Sequence, residues 1–206
     1  GDDVDFATIG GAAPVGLCGS ALIDAAAELL RTGIVISQGM FMPAESLPDE
    51  LPGALKERLV ERDGNPAFVL APTDATHTGV PVLLLQQDIR ELQLATAAIR
   101  AGIAIVLRGA GIELADLRRV LVAGAFGNYI RCGNAQRIGL LPHALDESRI
   151  FFVGNTSLAG AKLAAVSRRA RRRGEELARQ TEHVDLSQDP NFQNEYVEAM
   201  FFPEPE

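Results

Sequence analysis

Arg119-Val-Leu-Val-Ala-Gly-Ala-Phe-Gly-Asn-Tyr129 decides the fold: a continuous apolar strand that breaks abruptly into glycine. The pattern returns at Arg149-Ile-Phe-Phe-Val-Gly-Asn-Thr-Ser157, where a second strand meets a turn and Leu158 opens a small-residue helix. Strands alternating with helices give an α/β fold with a mixed sheet flanked by helices. In open α/β sheets ligands gather outside the carboxyl ends of strands, where glycine admits backbone to a ligand and a helix start offers N–H groups. Gly124, Ala125, Phe126, Gly127 and Asn128 at the first junction, and Gly154 and Asn155 at the second, are therefore candidate binding residues. Each junction alone also satisfies the needs of an ordinary tight βα turn.

Outward from these junctions, Gln86–Ala110 predicts the longest helix. Ile89, Leu92, Ala95 or Thr96, Ile99, Ile103 and Val106 recur at steps of three and four, with no proline. Such a helix is about 35 Å long and can cross a whole sheet. Upstream, Gly10–Ser20 reads as a Gly/Pro-rich loop, and Ser20 is placed to cap a helix over Ala21–Arg31 that Gly33 closes. Ile34–Phe41 predicts a short hairpin around Gly39. Met42–Asn65, with Pro43, Pro48, Pro52 and many charges, predicts an exposed insertion, extended to residues 42–78 and a poor source of core. Strands are expected at Phe68–Leu70 and Val80–Leu85. Downstream, the small-residue helix runs on into Arg168–Arg173, His183–Asp185 predicts a last strand, and Phe192–Phe202 a C-terminal amphipathic helix.

Composition narrows the chemistry. The chain has 206 residues, 47% hydrophobic and 22% charged, with a formal net charge of -8, and a pI near 5.0. That is a globular composition, and it argues against binding nucleic acid or acidic membranes. The longest apolar runs, Val80–Leu85 and Ile103–Leu107, are too short to span a bilayer. Cys18 and Cys132 are too few for a disulfide framework or an iron–sulfur cluster and suit a reducing, cytoplasmic setting. His77, His143 and His183 are scattered, with no zinc-type spacing. There is no Walker motif, and Gly124-Ala-Phe-Gly127 lacks the third glycine and acidic partner of a dinucleotide fingerprint. Cys18 reads as a packed loop residue, and the Arg168–Arg173 cluster as a solvated helix end that could also grip phosphate or an acidic partner. The opening Gly1-Asp-Asp-Val-Asp5 carries no signal region, and Phe6–Gly10 leads directly into a turn as if a strand entered from upstream. The expectation is a piece of a longer protein.

A family resemblance becomes specific at Val15-Gly-Leu-Cys-Gly-Ser-Ala-Leu-Ile-Asp24, which adds Gly16, Gly19 and Ser20 to the candidates. It continues through Gln87–Ala95, Leu121–Ile130, Arg137-Ile-Gly-Leu-Leu-Pro142, Val153-Gly-Asn155, Asp189-Pro-Asn-Phe-Gln193 and Glu198–Pro203. In order, these blocks resemble the C-terminal domain of the ferredoxin-like reductive activators of corrinoid proteins. The resemblance implies a ribonuclease-H-like, actin-like ATPase subdomain over residues 1–206. It implies a parent protein with a [2Fe–2S] domain that uses ATP with Mg²⁺ to reduce Co(II) corrinoid to Co(I) on a methyl-transfer protein. The cluster domain and the upstream phosphate-loop half lie outside this chain, and whether the chain alone is an enzyme stays open. Gly124–Asn128 is similar to the superfamily's adenosine-contacting turn, and the Leu158–Ala165 helix to its hinge helix. Implied partners are a corrinoid protein and the remainder of the parent chain; homodimerisation is open, since a half-domain exposes apolar surface. The alternative is an interaction module that docks the corrinoid protein, its nucleotide binding vestigial. A small-molecule kinase on the same fold is a weaker third reading, because no sugar-binding or catalytic carboxylate can be located.

Overall fold

The computed structural model describes residues 2–124 and 129–204. Seven α-helices and five strands are assigned among them: α1 (Gly19–Arg31), α2 (Gly53–Glu57), β1 (Leu59–Arg62), β2 (Asn65–Ala71), β3 (Val82–Leu85), α3 (Gln86–Ala110), β4 (Val120–Ala123), α4 (Cys132–Arg137), β5 (Ile150–Gly154), α5 (Thr156–Val166), α6 (Arg168–Gln180) and α7 (Phe192–Glu198). The class is α/β, and the mixture of pairing directions is divided between two sheets. β1, β2 and β3 form an antiparallel sheet in chain order, with an irregularity at Val69/Ala71. β4 and β5 form a parallel pair joined by the crossover that contains α4.

The larger core lies between α1, the antiparallel sheet and α3. Ile23, Ala26 and Leu30 of α1, Phe68 of β2, Leu84 of β3, and Ile89 and Leu92 of α3 are buried together there. α3 forms as its periodicity predicts. Its N-terminus is held by the Asp88 carboxylate, which accepts the Leu85 N–H at 2.8 Å, and Gly111 ends it. By length and composition α3 is apolar enough to cross a membrane, although no unbroken apolar run within it is that long. Here one face of it packs in the core, with Gln93 and Thr96 buried on that face.

A smaller core of Ala135, Leu141, Leu145 and Ile150 sits beneath β4 and β5. Ile138, just past α4, reaches the larger core, so α4 ties the two together. α7 lies against α3, where the Gln93 amide donates to the Met200 carbonyl at 2.8 Å and Arg100 donates to the carbonyls of Ala199 and Phe201 at 2.9 and 2.6 Å.

Five readings are corrected. Residues 42–78 are not merely an exposed insertion: Leu47 and Leu51 enter the core, β1 adds an unexpected strand, and the strand expected at Phe68–Leu70 forms as β2. The α1 cap is Cys18, not Ser20, since the helix starts at Gly19. The helix after β5 does not run on into the arginines; it breaks at Ser167, whose φ/ψ of -134/113 is extended and whose hydroxyl accepts the Ala170 N–H at 3.2 Å. His183–Asp185 pairs with no strand among the described residues, and α7 ends at Glu198, short of Phe202.

Candidate functional site

Two strand ends meet at the candidate site. The Gly124 N–H donates to the Gly154 carbonyl at 2.8 Å, extending the β4–β5 ladder by one bond beyond the strands' irregular final pair. Gly124 has φ +117, a backbone that residues with a Cβ rarely adopt, and a Cβ there would meet no atom of the described residues within 4 Å. Among the described residues nothing covers the backbone at the carboxyl end of β4. Next to it, Asn155 caps α5: its Oδ1 accepts the Leu158 N–H at 3.0 Å. Chemically this is a ledge of glycine backbone beside a helix start, a place where a ligand can lie close to the main chain.

Gly124, Gly154 and Asn155 are thus brought together. Ala125, Phe126, Gly127 and Asn128 lie outside the described residues. Gly16, Gly19 and Ser20 sit elsewhere, on the approach to α1: Gly16 is an exposed loop residue, and Gly19 and Ser20 open the helix. Their link to the strand ends runs through α1 and α4. Asp24, one turn into α1, accepts the Asn134 amide at 2.7 Å and faces Arg131 at 3.4 Å, and Asn134 in turn accepts from Arg137 at 3.0 Å. These residues follow directly on the connection from β4, so α1 braces the segment leaving the first junction. In the sequence Asp24 stands only as the last residue of the Val15–Asp24 block. Its polar partner lies far along the chain, and no local signal announces the pair.

Cys18 is exposed rather than packed, and a hydrogen bond with Ser20 (Sγ to Oγ 3.4 Å), aided by the Ala21 N–H, lowers its thiol below the ordinary value. Cys132, half-buried at the start of α4, is pushed the other way by burial and by Glu147. Two thiols on separate helices cannot supply the four ligands of a cluster. No group of three or more His, Cys, Asp or Glu is arranged to hold a metal ion among the described residues. One open concavity lies along α6 and another on the antiparallel sheet.

A family model described as the C-terminal domain of RACo, the ASKHA domain, matches residues 1–206. The chain is 34% identical over 200 residues to "Corrinoid activation enzyme RamQ" of Eubacterium limosum, covering 97% of this chain and 33% of that protein. It is 28% identical over 146 residues to "[Co(II) methylated amine-specific corrinoid protein] reductase" of Methanosarcina barkeri, covering 70% of this chain and 26% of that protein. Among solved structures it is similar to "Reductive activator for corrinoid,iron-sulfur protein", with a TM-score of 0.84 and 36% identity over 98% of this chain and 31% of that one. The chain spans about a third of the length of these relatives or less.

Proposed function

The chain belongs to the family of RACo C-terminal ASKHA domains, and from that premise we propose that it supplies the adenosine-side wall of a nucleotide cleft in a longer, ATP-dependent activator of a corrinoid protein. The observation that carries the proposal is the Gly124–Gly154 bond, which sets two glycine-ended strands side by side. Relatives named for corrinoid activation and Co(II) corrinoid reduction support the rest.

ATP, bound in the complete cleft, supplies the free energy that holds domains closed on a partner. This chain's part is to bind and orient. Gly124 and Gly154 present backbone that carries no side chain of its own, Asn155 fixes the start of α5, and Asp24 with Asn134 fixes α1 against the crossover. Ligands for Mg²⁺ and the phosphate loop come from the rest of the longer chain, as does the [2Fe–2S] cluster whose cysteines this sequence lacks. The electron therefore travels outside this chain. What the chain contributes is conformational and electrostatic.

Gly124→Val and Gly127→Val, introduced separately into the full-length protein, test the reading. A fluorescent ATP analogue reads binding, and Co(I) absorbance reads ATP-dependent activation of a corrinoid protein. The expected result is nucleotide binding weakened about tenfold or more and activation blocked, with corrinoid-protein pull-down intact. Unchanged activation overturns the proposal. Calorimetry on these 206 residues alone is expected to show weak or no ATP binding, because one wall is missing; tight binding there overturns the division of the cleft.

A further inference from the structure

α6 does nothing for the fold it belongs to. None of its thirteen residues is buried. Among the assigned elements its substantial packing is against α5, which itself buries no residue. Yet the helix carries Arg168, Arg169, Arg171, Arg172, Arg173 and Arg179 against only Glu175 and Glu176, in a chain whose net charge is -8. The first turn holds no acidic residue and two arginines, so cations sit where the helix macrodipole disfavours them. Among the described residues a single carboxylate answers this cluster: Glu176, 3.1 Å from Arg173. Arg171 turns back to the Ala164 carbonyl at 3.3 Å. Arg168, Arg169, Arg172 and Arg173 share one face with Glu176 and border an open concavity of about 650 Å³. A local rule broken on an element with no core role marks a functional surface.

We propose that this face is an electrostatic dock for a carboxylate-rich surface on the protein that the activator acts on, an inference that rests on the functional reading above. Charge selects the partner's chemistry. Arginine forks bind carboxylates in pairs and are favoured at interfaces. The open, single-helix concavity fits a protruding protein surface better than an enclosed small molecule. A membrane is disfavoured, because Ala170, Leu177 and Ala178 are the only apolar side chains on α6 and form no insertion face. A nucleic acid is disfavoured by the acidic remainder of the chain, which repels a long polyanion but not a local acidic patch. Position selects the role. α5 starts at the candidate site, capped by Asn155, and delivers the chain through Ser167 into α6. A partner seated on α6 is thus one short helix, about 16 Å, from the strand ends proposed to sense nucleotide.

The test uses the full-length protein, the triple variant Arg168→Glu/Arg169→Glu/Arg172→Glu, and its charge-preserving counterpart with lysine at the same three positions. Association with a purified Co(II) corrinoid protein is followed by stopped flow from about 20 to about 300 mM salt, the range over which screening takes hold. The expected result is a wild-type association rate that falls steeply with salt. The glutamate variant should associate about tenfold to a hundredfold more slowly at low salt with a flattened salt dependence, and lysine should restore most of the rate. Its circular dichroism and melting temperature should match the wild type, since no buried residue changes. Equal rates and salt slopes for wild type and glutamate variant overturn the dock. Loss of self-association instead, seen by sedimentation, overturns it in favour of a second copy as occupant. A loss confined to heparin binding overturns it in favour of a nucleic-acid-like polyanion. A wild-type protein that does not bind the corrinoid protein at all overturns the functional reading, a result distinct from these.

Discussion

At the scale of single residues the fold is held by a few polar side chains that reach distant backbone. Gln93 is 1% exposed, donates to Met200, and lies so close to Gly39 that a Cβ there would meet its amide oxygen at 2.2 Å. Gly39 also has φ +77. Gly39→Ala combines backbone strain with displacement of a buried amide and should cost on the order of 2–4 kcal/mol, read as a lower denaturation midpoint at constant slope. A loss below about 0.5 kcal/mol would mean that the Gln93 amide is not locked in place. Asp3 gives a pH-dependent counterpart. Its hydrogen bonds from Arg58 and from the Val4 N–H hold its carboxyl down to about 2 from an ordinary 3.8. The folded value is the lower one. The contribution to stability is therefore full above the unfolded value, and it fades as pH falls from about 3.8 through about 2. NMR titration of Asp3 should show the depressed value in the wild type and an ordinary one in Arg58→Ala. Both pairings escape a sequence reading, since Gln93 and Met200, like Asp3 and Arg58, meet only after the chain has folded.

At the scale of elements, legibility follows how locally each element is determined. α3 is readable to its termini because periodic apolar spacing, an absence of proline, Asp88 at its start and Gly111 at its end all agree. Residues 42–78 are misread because Leu47 and Leu51 are single apolar residues among prolines and charges; what buries them is α1 and the sheet, not a local period. The glycine junctions of the site are readable for the opposite reason, since a strand ending in glycine announces its backbone demand in the residue type. The α1–α4 brace is not readable: Asp24 and Asn134 are 110 positions apart. It is testable as an element contact. Asp24→Ala leaves the 7%-exposed Asn134 without its acceptor and should cost about 1–3 kcal/mol, with hydrogen exchange quickened in α1 and α4 before α7. The break between α5 and α6 rests on Ser167. Ser167→Ala removes the side-chain cap of an exposed helix and should cost about 1 kcal/mol locally; faster exchange in α6 with an unchanged global melt is the expected signature.

At the scale of the whole molecule, the two sheets are finished to different degrees. The antiparallel sheet contributes Phe68 and Leu84 to a core covered by α1 and α3. Among the described residues the parallel pair is covered on one side only: Val120, Val122, Ile150 and Phe152 face the smaller core, while Leu121, Phe151 and Val153 are 60%, 44% and 41% exposed. Parallel strands are ordinarily buried on both faces, and α5 beyond them adds Leu158, Leu163 and Val166 to the exposed apolar surface. The relatives are about three times as long as this chain, so a covering layer from the remainder of a longer chain is the simplest completion. Leu121→Lys and Phe151→Lys separate the possibilities. In the 206-residue chain both positions face solvent, and each lysine should change stability by no more than about 0.5 kcal/mol. In the longer protein the same lysines would be desolvated beneath the covering layer and should cost about 2 kcal/mol or more each, with binding of a hydrophobic dye increased. Equal tolerance in both contexts would show that the outer face stays exposed in the longer protein. The β4–β5 pair would then owe its order to the crossover and α4 alone, and the strand-end ledge at Gly124 would lack the second layer that a rigid nucleotide wall requires.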